Sequence, residues 1–134
     1  MSQKIAVVGA GFIGRSWAMV FSKAGHHVSL YDIDPAALSE AMNLLEINLA
    51  DLESNGLISS KDDLLGRIQP YKTLEGAVEE AEWVQENALE NVQIKRGLFS
   101  RMDELLPETT ILASSTSAIP VSYTHLRAHE TIAD

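Results

Sequence analysis

Residues 9–14 read Gly9-Ala10-Gly11-Phe12-Ile13-Gly14, a G-x-G-x-x-G turn, and its surroundings constrain the fold more than any other feature. The turn directly follows the apolar run Ile5-Ala6-Val7-Val8, which suits a parallel strand buried on both faces. Beyond it, Ile13, Trp17, Phe21 and Ala24 recur at helical spacing and predict one apolar helix stripe ending at Gly25. In such a strand–turn–helix unit, Gly9 permits the tight turn and Gly11 lets a diphosphate approach the backbone without a Cβ in the way. Gly14 lets the helix pack closely on the strand. Phe12 and Ile13 open the helix, whose N-terminal N–H groups and partial positive charge face the same ligand.

A second strand over residues 28–32 ends on Asp32, eighteen residues after the last glycine of the turn. A carboxylate there can accept hydrogen bonds from an adenosine ribose and repels a 2′-phosphate. The next residue, Ile33, cannot compensate as an arginine would, so NAD is favoured over NADP. Flavoproteins share this fingerprint, and a flavin reading stays open. The competing structural reading makes Gly9, Gly11 and Gly14 turn glycines and Asp32 a loop cap. Four agreeing features favour the dinucleotide site.

The rest of the chain alternates helices and strands. Asp34 caps a helix with Pro35 at its first position, and Leu38, Met42, Leu45, Leu49 and Leu52 carry it to Asn55-Gly56. Ser60 opens a short helix, residues 68–71 form a third strand, and Thr73 caps a helix running to Ala81. Residues 83–87 form a fourth strand. Ile94, Leu98, Met102 and Leu105 place a helix between Asn91 and Leu106, and residues 110–114 form a fifth strand. This order predicts right-handed crossovers and an α/β, Rossmann-type doubly wound parallel sheet, truncated after about five strands, in one domain over residues 1–120.

Ten basic and nineteen acidic residues leave a net charge of −9, which weighs against nucleic acid as a partner. No cysteine is present for a disulfide, thiolate metal site or nucleophile. No apolar run is long enough for a bilayer and no leader precedes the first strand, so the expected compartment is the cytoplasm, without membrane contact. Six glutamates and no lysine or arginine lie within residues 75–90. Glu79, Glu80 and Glu82 read as a solvated face. Glu86 and Glu90 fall at or beyond the carboxyl end of a strand, where ligands bind in open α/β sheets.

Residues 121–131, beginning Val121-Ser122-Tyr123-Thr124-His125 and ending His129-Glu130-Thr131, resemble one reading frame of a transposase-type sequencing adapter. Residues 121–134 are therefore expected to be a non-native tail. The spacing of His125 and His129 would suit a metal on a helix, but in such a tail it carries no weight.

Several spaced motifs resemble the lambda-crystallin and L-gulonate 3-dehydrogenase branch of the 3-hydroxyacyl-CoA dehydrogenase family. They are Gly14-Arg15-Ser16-Trp17-Ala18-Met19, Leu30-Tyr31-Asp32, Val84-Gln85-Glu86, Glu90 with Lys95, and Ser114-Ser115-Thr116-Ser117. The resemblance covers residues 4–120. It implies an NAD-binding domain followed by a helical domain that completes the active site and a homodimer. It also implies that Glu90 and Lys95 contact the nicotinamide side of the cofactor and that Ser117 contacts the substrate hydroxyl region. Many relatives carry asparagine where this chain has Ser115. The substrate implied is an L-3-hydroxyacyl-CoA or a free L-3-hydroxy acid, whether sugar acid or carnitine-like.

Oxidising a secondary alcohol requires a base for the hydroxyl proton, usually histidine. Relatives carry a histidine–glutamate pair beyond the serine cluster, and no histidine lies between His27 and His125 here. His26 and His27 fall in the turn entering the second strand, at the far end of the sheet. The chain alone is thus expected to bind cofactor weakly and not to turn over. A non-catalytic dinucleotide-binding or structural, crystallin-like module is the alternative.

Overall fold

The computed structural model describes residues 2–87, 92–115 and 131–132. Its elements run β1 (Lys4–Val8), α1 (Phe12–Lys23), β2 (His27–Tyr31), α2 (Pro35–Ser54), α3 (Lys61–Gly66), β3 (Ile68–Tyr71), α4 (Leu74–Val78), β4 (Trp83–Glu86), α5 (Val92–Leu105), β5 (Ile111–Ser114) and β6 (Thr131–Ile132). The strands form one parallel sheet in the order β3-β2-β1-β4-β5-β6. This is the doubly wound arrangement expected, and its strand order reverses between β1 and β4, the switch point where such sheets bind ligands. The two-residue β6 comes from within residues 121–134 and pairs with the outer edge of β5.

Burial on both faces explains the unbroken apolar run of β1. Ala6 and Val8 enter one core with α4 and α5 residues such as Leu74, Phe99 and Met102. Ile5 and Val7 enter the other, with Ala18 of α1 and Leu38, Ala41 and Leu45 of α2. Period-two alternation thus feeds two helical layers. Leu49, Ile58 and Leu64 form a third cluster under α3. Local signals act as expected at three helix starts: Asp34 accepts from the Ala36 N–H with Pro35 next, Ser60 from Asp63, and Thr73 from Gly76.

The buried face of α1 corrects the sequence reading. Ile13 is 49% exposed and Ala24 is also exposed, while Gly14, Ala18 and Ser22 are buried. Small residues at i, i+4 and i+8 bring the helix axis close to the sheet. The larger Trp17 and Phe21 flank that line, half-buried and stacked with ring centroids 5.3 Å apart. Among the described residues no helix is long and apolar enough to cross a membrane.

Candidate functional site

Strand register assembles the site. Tyr31, Val8, Glu86 and Ser114 are cross-strand partners at the carboxyl ends of β2, β1, β4 and β5. One residue further on stand Asp32, Gly9, Asn87 and Ser115, in a row across the switch point. Backbone bonds continue the ladder to this row: Gly9 N–H to the Tyr31 carbonyl (2.8 Å), Asn87 N–H to Val8 (2.7 Å) and Ser115 N–H to Glu86 (2.9 Å).

Each glycine of the turn has its own reason. Gly9 sits at φ 103°, a left-handed conformation that side chains rarely adopt. A Cβ on Gly14 would stand 1.8 Å from the Gly9 carbonyl oxygen, so the helix seats on the loop only without one. Gly11 caps α1 without a side-chain hydrogen bond, and a Cβ there would meet nothing within 4 Å. Open space therefore lies over Gly11. The first-turn N–H groups of α1 lack intrahelical acceptors, and no acidic side chain in that turn competes for them. Phe12 (72% exposed) and Ile13 border this opening. These features fit the diphosphate of a dinucleotide.

Asp32 is part-buried and does two things at once. Its Oδ2 accepts from Ala10 N–H at 2.8 Å and its Oδ1 from Asp34 N–H at 2.9 Å. The carboxylate therefore ties the glycine loop to the end of β2. Each oxygen retains a second lone pair that can accept from a ribose hydroxyl. The neighbouring Ile33 is 77% exposed. Burial raises the Tyr31 phenol above its ordinary pKa of 10.0, and the Asp32 charge adds to the shift while Arg101 opposes it.

On the other side of the switch point, Glu86 and Lys95 form an ion pair with both side chains fully buried, and the Ser114 hydroxyl donates to Glu86 Oε1 at 2.7 Å. Lys95, expected beside Glu90 on the cofactor, is thus seated against Glu86, which sequence reasoning set apart from the solvated glutamates without a partner. Glu90, Thr116 and Ser117 lie outside the described residues, as do His125 and His129.

Ser115 is the hub of a network that sequence reasoning missed. Its Oγ accepts from Trp17 Nε1 (3.0 Å) and Gln85 Nε2 (2.7 Å) and donates to Asn87 Oδ1 (2.6 Å). Asn87 Nδ2 in turn donates to the Gln85 carbonyl at 3.1 Å. The network pins α1 to the ends of β4 and β5. The available signal was an indole N–H, which seeks a partner when part-buried, on a helix read only as an apolar stripe. His27 begins β2 opposite Lys4, and His26 Nδ1 accepts from Gln3 N–H, at the far end of the sheet from Gly9.

Comparison with known proteins agrees with this geometry. Residues 4–130 match the family described as 3-hydroxyacyl-CoA dehydrogenase, NAD binding domain. The chain is 40% identical over 118 residues to a lambda-crystallin homolog of Bos taurus, covering 86% of this chain and 37% of the other. It is 37% identical over 120 residues to an L-carnitine dehydrogenase of Streptomyces griseus, covering 90% of this chain and 35% of that one. A crystal structure of 3-hydroxybutyryl-CoA dehydrogenase from Escherichia coli superposes with a TM-score of 0.84 at 31% identity, over 90% of this chain and 26% of that one. The chain thus spans little more than a third of the curated relatives it matches. NAD is the cofactor of the matched domain.

Proposed function

Because this chain belongs to the 3-hydroxyacyl-CoA dehydrogenase family through its NAD-binding domain, we propose that it is the cofactor-binding part of a dehydrogenase acting on L-3-hydroxy substrates. The reaction is oxidation of the 3-hydroxyl of an L-3-hydroxyacyl-CoA or a free L-3-hydroxy acid to the 3-keto product. One observation carries the reading: the Ala10–Asp32 hydrogen bond, which joins the diphosphate loop to the ribose-side acid. NAD, when bound, supplies the hydride acceptor. The residues of this chain bind and orient. The first turn of α1 faces the diphosphate, Asp32 accepts from the adenosine ribose, and Glu90 and Ser117 flank the nicotinamide side. Lys95, expected there as well, is buried against Glu86 and reaches the cofactor only if that pair opens.

The hydroxyl proton needs a base within hydrogen-bond reach. His26 and His27 stand at the wrong end of the sheet. In this reading a histidine–glutamate pair lies beyond the serine cluster in a longer protein, whose further helical domain completes the active site and forms a homodimer. Residues 121–134 are then a non-native tail, and the cytoplasm is the proposed compartment. Sugar acids such as L-gulonate, carnitine-like acids and CoA thioesters are the candidate substrates.

Titrating NAD and NADP into the chain, read by tryptophan fluorescence, tests the cofactor half. Saturable NAD binding with NADP about tenfold weaker or more is expected, since one unfavourable charge contact is worth that much. Equal affinities would sink it. Hydride transfer after restoring the native continuation beyond residue 120 tests the reaction half, and its absence would overturn it.

A further inference from the structure

Ala10 is held at both its polar groups. Its N–H donates to Asp32 Oδ2 at 2.8 Å, and its carbonyl accepts from Arg15 Nη1 at 3.3 Å. Arg15 lies in the first turn of α1, and its Nε is buried with no hydrogen-bond partner among the described residues. A guanidinium carries five donors in a planar fork and is always charged. The Ala10 carbonyl takes one of them, at a long distance. Among the described residues no carboxylate lies within 4.0 Å of Arg15 to neutralise it. An unsatisfied buried donor is costly, and such groups in folded proteins call for a specific explanation.

That Nε is beyond the reach of a ligand, whereas the guanidinium nitrogen that does not bond Ala10 is open to one. In doubly wound folds an acid at the end of the second strand takes the ribose 2′-hydroxyl, whereas a nearby arginine accommodates a 2′-phosphate. Here the residue after the acid is Ile33, yet a guanidinium reaches the same loop residue that Asp32 holds. Resting on the NAD-site reading above, we propose that Arg15 is a second determinant of dinucleotide choice. The Asp32 carboxylate repels a 2′-phosphate, and Arg15 is the cation that attracts one, weakly beside the Asp32 charge and fully once substitution removes that charge. Arg15 therefore softens the preference for NAD, and Asp32 alone enforces it.

The test is a double-mutant cycle on the 134-residue chain, titrating NAD and NADP into the wild type, Asp32→Asn, Arg15→Met and the double variant. Asp32→Asn can keep an acceptor for the Ala10 N–H while it removes the charge and the acceptor of the Asp34 N–H. It should tighten NADP binding about tenfold or more, the scale of one charge-assisted contact. Adding Arg15→Met should abolish that gain. Arg15→Met alone should leave NAD within about threefold and weaken NADP further. Arg15→Gln, which keeps a donor for the Ala10 carbonyl, should reproduce the loss if Arg15→Met disturbs folding. A gain in NADP affinity that survives both Arg15 substitutions would overturn the proposal. So would an equal loss of NAD and NADP, which would put the guanidinium on the diphosphate. A wild-type chain that binds neither nucleotide would instead overturn the cofactor-site reading, and this proposal with it.

Discussion

Lys95 of α5 and Glu86 of β4 form an ion pair from which solvent is excluded on both sides. Nine residues apart in sequence, they meet because α5 folds back over the end of β4, with Phe99 buried one turn further along the helix. Ser114 donates to the same carboxylate. Removing one member of such a pair leaves a buried charge. Lys95→Met is expected to destabilise the fold by about 3–5 kcal/mol, and adding Glu86→Gln should recover part of that. Urea unfolding of the three variants measures it, and a neutral Lys95→Met would show the pair to be energetically idle.

Gly11 and Gly14 should fail in opposite ways. A Cβ at Gly14 collides with the Gly9 carbonyl, whereas one at Gly11 meets no protein atom within 4 Å, and Gly11 has an ordinary φ of −71°. Gly14→Ala should cost about 3 kcal/mol or more, at the upper end of overpacking effects. Gly11→Ala should leave thermal stability unchanged or up by about 0.4–1 kcal/mol. It should nevertheless weaken NAD binding by about tenfold or more, because the methyl occupies the space over the loop. Thermal unfolding and NAD titration on both variants separate the two roles.

Tyr31 gives a pH signature. Burial, then the Asp32 charge, hold its phenol above 10.0, so the folded chain keeps a proton that the unfolded chain releases. That contribution to stability is complete below pH 10.0 and is lost as pH rises through the folded-state value. In an ultraviolet titration, Asp32→Asn should bring the Tyr31 ionisation to lower pH, and Arg101→Gln should move it higher. Shifts in the reverse directions would mean that these charges do not face the phenol.

Ser115→Ala should strand the Trp17 indole N–H, the Gln85 amide and the Asn87 carbonyl oxygen at once. The bonds are part-buried, so a loss of about 2 kcal/mol is expected, within the range for one unsatisfied group. Trp17 emission should shift as its partner is lost. A variant with native stability and an unmoved spectrum would remove the hub from the account.

Deleting residues 121–134 is expected to leave thermal stability and NAD affinity unchanged. Thr131 and Ile132 pair with Ala113 and Ser114 at the edge of the sheet, so a marked loss on deletion would show that these residues belong to the fold.

What the sequence determined by itself is what depends on local backbone geometry. A left-handed φ at Gly9, an apolar run buried on both faces, Asp34 followed by Pro35, and an acid closing the second strand each impose their conformation on a few neighbouring residues. Together they specify a parallel doubly wound sheet with its glycine turn at the switch point. The tertiary structure alone decided which side chains meet. Trp17 finds Ser115 across 98 residues, Lys95 finds Glu86, and Arg15 and Asp32 converge on Ala10. The face that α1 buries was settled the same way. Helical spacing marks where large apolar residues recur, but the distance between helix and sheet selects the small ones, Gly14, Ala18 and Ser22, for the contact. Such choices follow from strand order and register, which the crossovers set over tens of residues and no short window of sequence contains.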